Sequence, residues 1–228
     1  CLVGSEMCIR DRQEVYVSES FLEKCSCREH LEEVGYEVVS DSVFSKISDT
    51  CTPQGVLCVL KQFHYNIEEM LRDKAPLFLL LENIQDPGNL GTMLRTGEGA
   101  GVSGIIMSRD TVDLYNPKVI RSTMGSIYRV PFYYADDFAA AVHQVQQAGV
   151  SVYAAHLRGK NSYACQDYTK GTAFLIGNEG NGLREETAEL ADCYIRIPME
   201  GKVESLNAAV ASSILMYEAH RQRATIEK

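Results

Sequence analysis

Residues 77–228 alternate short apolar runs with helical segments, and this alternation constrains the possible fold more than any other feature of the sequence. The run LFLLL at 77–81 is apolar throughout, as expected of a strand buried on both faces of a sheet. A helical segment that ends in glycine follows it, and the next apolar run, GIIMS, begins at Gly104. We therefore predict an α/β domain with a largely parallel sheet. It continues through the strand-like segments VPFYY, VSVYAAH, TAFLIG and YIRIP to a C-terminal helix from Ser205 to about Gln222.

The N-terminal part of the chain has shorter elements. Residues 13–65 contain the strand-like segments VYVS, YEVVS and GVLCVLK with helix-like segments between them, which predicts a small α/β domain. Residues 66–76, NIEEMLRDKAP, are charged and end in proline, as is typical of a linker. The first twelve residues, CLVGSEMCIRDR, lack a leading Met and the pattern of a secretory signal, and they do not join naturally to the segment after them. We interpret residues 1–12 as a non-native artefact and the N-terminal domain as incomplete.

The composition is that of an ordinary globular protein, with 45% hydrophobic and 23% charged residues and a formal net charge of −9. These values exclude a disordered or low-complexity chain. No apolar run approaches the roughly 18 residues that cross a bilayer, so we expect no membrane partner. The eight cysteines form no CxxC pair. This favours reduced thiols and a cytoplasmic location over disulfides, and it predicts no metal site.

Residues 99–104 spell GAGVSG, which matches the GxGxxG pattern of dinucleotide-binding proteins. That fingerprint requires a strand before the glycines and a helix after them, because the helix N-terminus faces the pyrophosphate. Here a predicted helix precedes the glycines and a predicted strand comes after them. The order disfavours an NAD-dependent oxidoreductase, and the glycines are better interpreted as the end of a helix.

Three segments rich in glycine and polar residues come directly after predicted strands, at the edge where open α/β sheets bind ligands. Each contains polar side chains that suit a ligand site, although helix caps and solvent-exposed residues are an alternative explanation for every one of them. The segments are ENIQDPGNLGTMLRTGEGAG at 82–101, FLIGNEGNGL at 174–183 and IPMEGKVESLNAAVASSILMYE at 197–218.

Within these segments the polar residues occupy distinct positions. Asn89 sits where a helix N-cap belongs, and Arg95 lies about two turns further along the same helix. Glu179 is a lone carboxylate in a tight, glycine-rich turn. Ser205 is at the predicted start of the last helix, where it could serve as a cap. On that helix one face, which we expect to pack against another element, carries Leu206, Val210, Ser213 and Tyr217.

Together the segments DPGNLGTMLRT, IGNEGNGL and IPMEGKVESLNAAVA resemble the three signature motifs of the SpoU/TrmH family of RNA ribose 2′-O-methyltransferases, in the SPOUT superfamily. Residues 116–131, NPKVIRSTMGSIYRVP, resemble the segment that the family has between its motifs. The resemblance covers 77–228 and implies a Rossmann-like parallel sheet with a C-terminal trefoil knot. It also implies a homodimer whose active site takes residues from both chains. Residues 13–65 are similar to a small ribosomal-protein-like domain that binds the RNA substrate.

The resemblance implies S-adenosylmethionine as the cosubstrate and no metal. The functional polar residues of the family fall on Asn89, Arg95, Glu179, Ser205 and Asn207. Its usual proposal makes the equivalent of Arg95 the general base. A guanidinium stays protonated in proteins, so a clamp on the target phosphate and a stabiliser of the developing alkoxide is the physically easier role. The cofactor pocket of the family falls on Gly177, Ile197, Met199, Leu206 and Leu157.

The expected activity is methylation of a ribose 2′-hydroxyl in structured RNA. The ribosomal-protein-like domain favours ribosomal RNA by analogy. Transfer RNA as substrate, and a family member that binds RNA without methylating it, are the alternatives. A chain with a net charge of −9 is unexpected for an RNA enzyme. We expect a local basic patch to compensate, formed by Lys118, Arg121, Arg129, Arg158 and Lys160.

Overall fold

A computed structural model describes residues 12–25, 28–48, 50–202 and 205–226. The chain divides between Phe63 and His64 into two compact units. Of the twelve residues that we interpret as non-native, only Arg12 is among the described residues. Within the described ranges, no helix combines the length and the apolar character needed to cross a bilayer.

The N-terminal unit is built on a three-stranded mixed sheet with strand order β2-β1-β3. Strand β2 runs parallel to β1, whereas β3 is antiparallel to it. The buried side chains of Val15, Val17 and Leu31 form the centre of its core. The predicted small α/β architecture is thus present, with strands β1 (Arg12–Ser18), β2 (Glu37–Val39) and β3 (Val56–Leu60) and helices α1 (Glu19–Lys24), α2 (Arg28–Val34) and α3 (Asp41–Ile47).

The second unit contains a seven-stranded sheet in which all the paired strands are parallel, as the sequence predicted. Its order is β6-β5-β4-β9-β7-β10-β8. The strands are β4 (Leu77–Leu81), β5 (Gly104–Ser108), β6 (Phe132–Ala135), β7 (Ser151–Ala155), β8 (Asn161–Ser162), β9 (Thr172–Ile176) and β10 (Cys193–Arg196). The helices are α4 (Ile67–Met70), α5 (Pro87–Ala100), α6 (Pro117–Thr123), α7 (Phe138–Gln147), α8 (Glu185–Ala188) and α9 (Ala208–Ile226).

The central strands explain the continuous apolar runs. Every residue of β4, β5 and β9 is buried, because helices cover both faces of a parallel sheet. From the central strand β4 the chain builds toward β5 and β6 on one side, and it later builds β7 and β10 on the other side of β9. Ligands bind at such a topological switch point, beyond the carboxyl ends of the strands.

Two segments near the start of this unit test the sequence predictions, and only the second agrees with them. The predicted linker at 66–76 contains α4, whose Ile67 and Met70 are buried in the core of the second unit. The GAGVSG segment ends α5 at Gly101, which has a left-handed φ of 78°, and strand β5 begins at Gly104. These glycines therefore terminate a helix, as predicted, and do not form a dinucleotide-binding turn.

The predicted starts of two helices were wrong. Asp86, not Asn89, caps α5, because its carboxylate accepts a hydrogen bond from Asn89 N and Pro87 occupies the first helical position. Asn207, not Ser205, caps α9, through hydrogen bonds to its side-chain oxygen from Ala209 N and Val210 N. Asn89 therefore lies inside the first turn of α5, and Ser205 lies before α9 begins.

The predicted packing face of α9 is only partly covered within this chain. Ser213 contacts Thr96 of α5, but Val210 and Tyr217 remain 49% and 50% exposed. The buried face is formed instead by small or apolar residues, which let helices approach each other closely. Those residues are Ala209, Ser212, Leu215, Met216 and Ala219.

Helices α5 and α6 pack tightly at Gly91. A Cβ atom at this position would lie 1.7 Å from Ser122 Oγ and 3.0 Å from the carbonyl oxygen of Val119. We expect Gly91→Ala to lower the free energy of unfolding by about 1–3 kcal/mol, because it overpacks a buried contact. Gly97→Ala is the matched control in the same helix, since its Cβ would meet Val102 at an ordinary 3.5 Å. Equal unfolding midpoints for both variants in urea would contradict this packing.

Candidate active site

Four loops meet beyond the carboxyl ends of the strands in the second unit. Because the strands are parallel, the segments after β4, β7, β9 and β10 all emerge at the same edge of the sheet. The described parts of these segments are residues 82–86, 156–160, 177–184, 197–202 and 205–207, and they include most of the site residues proposed from the sequence.

The carboxylate of Glu179 connects the loop after β9 to the start of α5. Its Oε1 accepts hydrogen bonds from Asp86 N at 3.1 Å and from Asn89 Nδ2 at 3.0 Å, and Oε2 accepts one from Gln85 N at 3.2 Å. Asn207 Nδ2 donates to Asn89 Oδ1 at 3.0 Å. Three of the predicted polar residues, from three different segments, thus form one hydrogen-bonded chain.

The hydrogen bonds also fix the charge state of Glu179. Burial on its own raises the pKa of this carboxyl, but the hydrogen bonds that it accepts, from Asn89 and from backbone amides, outweigh burial and lower the pKa below its ordinary value. The carboxylate is therefore ionised at neutral pH, so it can only accept hydrogen bonds.

Glu82, which was not predicted from the sequence, connects the end of β4 to the segment after β9. Its side chain is 1% exposed and accepts hydrogen bonds from Arg184 N at 2.8 Å and from the hydroxyl of Thr187. The guanidinium of Arg184 lies 3.6 Å from Glu82 and forms an ion pair with Asp110. The sequence does show a carboxylate directly after the apolar run of β4. This could have indicated a functional residue, because a buried charge at such a position requires partners.

All five residues predicted to contact the cofactor line a single cavity of about 300 Å³. It is lined by the ends of β7, β9 and β10, by the loops after these three strands and by the start of α9. Ser205 also lines it. The predicted residues among the lining are Leu157, Gly177, Ile197, Met199 and Leu206.

Gly177 leaves no room for a side chain on this cavity wall. A Cβ atom there would lie 2.2 Å from Leu183 N and 2.3 Å from the carbonyl carbon of Gly182. The two sides of the turn after β9 therefore pack backbone against backbone, and only glycine fits at position 177.

His156 lines the same cavity and was also missed from the sequence. Its ring stacks on Tyr194 with centroids 5.1 Å apart, and its Nδ1 accepts a hydrogen bond from Arg158 N at 3.1 Å. Burial lowers the pKa of His156, and the nearby charge of Arg158 lowers it further. The ring is therefore neutral at pH 7, and its position directly after β7, beside Leu157, was the available signal.

A second, open and polar cleft adjoins the cavity. It is lined by Asp86, Asn89 and Asn207, and it shares Asn178, Glu179 and Gly180 with the cavity. A ligand in the cavity and a second ligand in the cleft would meet at these shared residues. The arrangement suits an enzyme that transfers a group from one bound molecule to another.

Arg95 is not part of either the cavity or the cleft. It lies on α5, six residues beyond Asn89, and its side chain is exposed. The structure thus brings four of the five predicted polar residues to the site within this chain and leaves Arg95 on the surface. No group of three or more His, Cys, Asp and Glu residues in the described part of the chain could hold a metal ion.

Comparison with known proteins identifies the group that is transferred. Residues 76–217 match the SpoU rRNA Methylase family, and the chain therefore belongs to this family of methyltransferases. The 23S rRNA (guanosine(2553)-2′-O)-methyltransferase RlmP of Bacillus subtilis is 35% identical over 180 residues, which cover 79% of this chain and 70% of that protein.

Solved structures agree with both units of the fold. The AdoMet-bound rRNA methyltransferase of Sinorhizobium meliloti is 31% identical, with a TM-score of 0.80 over 96% of this chain and 85% of that one. The SpoU methyltransferase AviRb of Streptomyces viridochromogenes, in complex with AdoMet, is 26% identical, with a TM-score of 0.83 over 94% of this chain and 84% of that one.

The charge on Glu179 makes a testable contribution to stability. Because the folded-state pKa is lowered, the stabilisation is complete above the ordinary glutamate pKa of about 4.3 and disappears as pH falls through the lower folded-state pKa. Glu179→Gln removes it, so we expect this variant to be about 1–2 kcal/mol less stable than wild type at pH 7. The difference should shrink as pH falls from 5 to 3 in urea unfolding.

Glu186→Gln is the control, because it removes an exposed carboxylate that makes no hydrogen bond in the described structure. A constant difference between wild type and Glu179→Gln from pH 7 to pH 3 would contradict an ionised, hydrogen-bonded Glu179.

Proposed function

We propose that this chain transfers a methyl group from S-adenosylmethionine to a ribose 2′-hydroxyl of ribosomal RNA. The observation that carries the proposal is the cavity that contains Gly177, Ile197, Met199 and Leu206 next to the hydrogen-bonded chain of Glu179, Asn89 and Asn207. Membership of the family supports the reaction. The relatives named as rRNA methyltransferases support the substrate.

The cavity suits S-adenosylmethionine in its size and its walls. Apolar side chains from Ile197, Met199 and Leu206 offer surface for an adenine ring, and backbone groups around Gly177 can hydrogen-bond to polar atoms. A Cβ atom at Gly177 would overlap the backbone of the turn. When bound, S-adenosylmethionine would supply a methyl group that is already activated on a sulfonium, so the protein mainly has to position the reactants.

The residues of the chain would then orient the ribose hydroxyl and fix the loops around it. Glu179 fixes the loop after β9 against α5, and the hydrogen bonds from Glu179 through Asn89 to Asn207 hold both asparagines in the polar cleft. In our proposal Asn207 and Ser205 position the reacting groups. Arg95 clamps the phosphate of the target nucleotide and stabilises negative charge on the attacking oxygen.

We propose that Arg95 acts in the site of a second copy of this chain. Arg95 is exposed and lies outside the cavity and cleft of its own chain. Helix α9 also leaves Val210 and Tyr217 half exposed on the face that the sequence marks for packing. Isolated apolar residues are ordinary on a surface, but two in one helical stripe suit an interface. A homodimer accounts for both features.

We also propose that the C-terminal segment forms the trefoil knot of the SPOUT superfamily. Helix α9 returns to the opposite end of the sheet from the site, where Gln222 exchanges hydrogen bonds with the backbone at Gln166 and Tyr168. Arg223 donates to the carbonyl oxygens of Ala75, Tyr168 and Lys170. These contacts place the end of α9 against the segments that precede β4 and β9, at the end of the sheet opposite to the cavity.

For the N-terminal unit we propose the role of an RNA-binding domain formed by residues 13–65, acting in the cytoplasm. The solved rRNA methyltransferase from Sinorhizobium meliloti covers 96% of this chain, so a unit of this kind accompanies the same catalytic domain there. The two-domain layout supports ribosomal over transfer RNA.

Cofactor binding tests the cavity directly. We expect S-adenosylhomocysteine to bind the purified chain saturably in calorimetric titration, and we expect Leu206→Arg to abolish binding because the guanidinium occupies the cavity. Leu206→Met keeps the volume and the apolar character, so it should retain binding. Absence of binding by a folded wild-type chain would overturn the proposed reaction.

Mixed dimers test the role of Arg95. Two co-expressed chains, one with Arg95→Ala and one with Leu206→Arg, can be isolated through different tags. If Arg95 acts across the interface, each variant alone is inactive on RNA, but the heterodimer has one complete site and about half the activity of wild type. An inactive heterodimer would show that Arg95 acts within its own chain, and a monomer in sedimentation would contradict the dimer.

A further inference from the structure

Helix α6 carries two exposed cations on one face. Lys118 and Arg121 are three residues apart, so their side chains are neighbours on the helix surface. In the described parts of the chain neither side chain has an ion pair or a hydrogen bond to another side chain. No acidic residue lies three or four positions from either of them along the sequence.

The other arginines of the predicted basic patch are engaged by carboxylates. Arg129 pairs with Glu98 and Arg158 pairs with Glu185, so these two contribute little net positive potential. These ion pairs reduce the patch predicted from the sequence to Lys118, Arg121 and Lys160. Further described ion pairs neutralise arginines elsewhere in the second unit, namely Arg109 with Asp136, Arg184 with Asp110 and Arg221 with Glu218.

Helix α6 is held against the turn that begins the site. The single hydroxyl proton of Ser122 is shared between the carbonyl oxygens of Val119, at 2.8 Å, and Pro87, at 3.2 Å. Gly91 fits against Ser122 without space for a Cβ. Pro87 itself lines the polar cleft, so α6 contacts a residue at the edge of the cleft, on the face of α5 opposite to the side chain of Asn89.

We propose that Lys118 and Arg121 bind the phosphodiester backbone of the RNA whose target ribose enters the polar cleft. This inference rests on the proposed function, and it adds the surface that holds the strand beside the site. Arg121 can make two parallel hydrogen bonds to one phosphate, and Lys118 acts as a point charge on its neighbour. Contacts of this kind fix the register of a nucleic acid without reading its sequence.

The salt dependence of RNA binding tests the surface. The full chain is titrated with 23S rRNA transcribed in vitro, at several salt concentrations. Each phosphate contact contributes about 0.7–0.9 to the slope of log K against log salt, so Lys118→Gln/Arg121→Gln should lower the slope by about 1.5. KM for the RNA should rise while kcat and the affinity for S-adenosylhomocysteine stay unchanged.

Arg109→Gln/Lys170→Gln is the matched control, because it removes the same charge from two cations that each lie beside a carboxylate. Its slope should equal that of wild type, and Lys118→Arg/Arg121→Lys should also keep the slope. An equal loss in both neutralised variants would mean a long-range effect of net charge and would overturn the proposal. A change in sedimentation of Lys118→Gln/Arg121→Gln would also overturn it, because α6 would then be an interface between copies.

The outcomes separate this proposal from the proposed function. Methylation by wild type with an unchanged slope in Lys118→Gln/Arg121→Gln contradicts the surface alone. RNA binding with the expected change in slope, but without methyl transfer by wild type, contradicts the reaction alone.

Discussion

The site depends on one carboxylate that satisfies backbone donors from a distant part of the chain. Glu179 accepts from Gln85 N and Asp86 N, and with Asn89 Nδ2 it joins the loop after β9 to the start of α5. The positive end of the fourteen-residue helix α5 favours a negative charge at this place. Because the same carboxylate borders both the cavity and the polar cleft, the interaction that stabilises the loops also sets the distance between the two binding regions.

The parallel sheet explains why such distant segments meet. Strands β4 and β9 are adjacent, although they are separated by about ninety residues in sequence, and the loops after them therefore emerge side by side. Glu82, at the end of β4, extends this connection below the surface through Arg184 and Thr187, which lie after β9. A buried carboxylate costs free energy unless its partners are in place, so these contacts favour one arrangement of the loops.

The central strands were predictable from the sequence, because continuous apolar runs such as 77–81 and 172–176 are typical of the buried strands of a parallel sheet. The start of α5 was predictable in principle, since Pro87 marks the first helical position and leaves Asp86 as the cap. The resemblance to SpoU motifs, and not periodicity, supplied the five cavity residues that the structure brings together. The partners of individual side chains could not be predicted, because they depend on tertiary contacts. Examples are the hydrogen bond from Arg184 N to Glu82 and the stacking of His156 on Tyr194.

The net charge of −9 is a poor guide to what this surface can bind. Exposed charges more than about 8 Å apart are largely screened at physiological ionic strength, so a polyanion responds to the local balance and not to the total. Five arginines of the second unit are matched by carboxylates within ion-pair distance, and this removes them from that local balance. The charges of Lys118 and Arg121 are not balanced in this way, because α6 presents no acidic neighbour within one turn. This distribution of ion pairs is what would allow an acidic chain to carry the RNA-binding surface that we propose on α6.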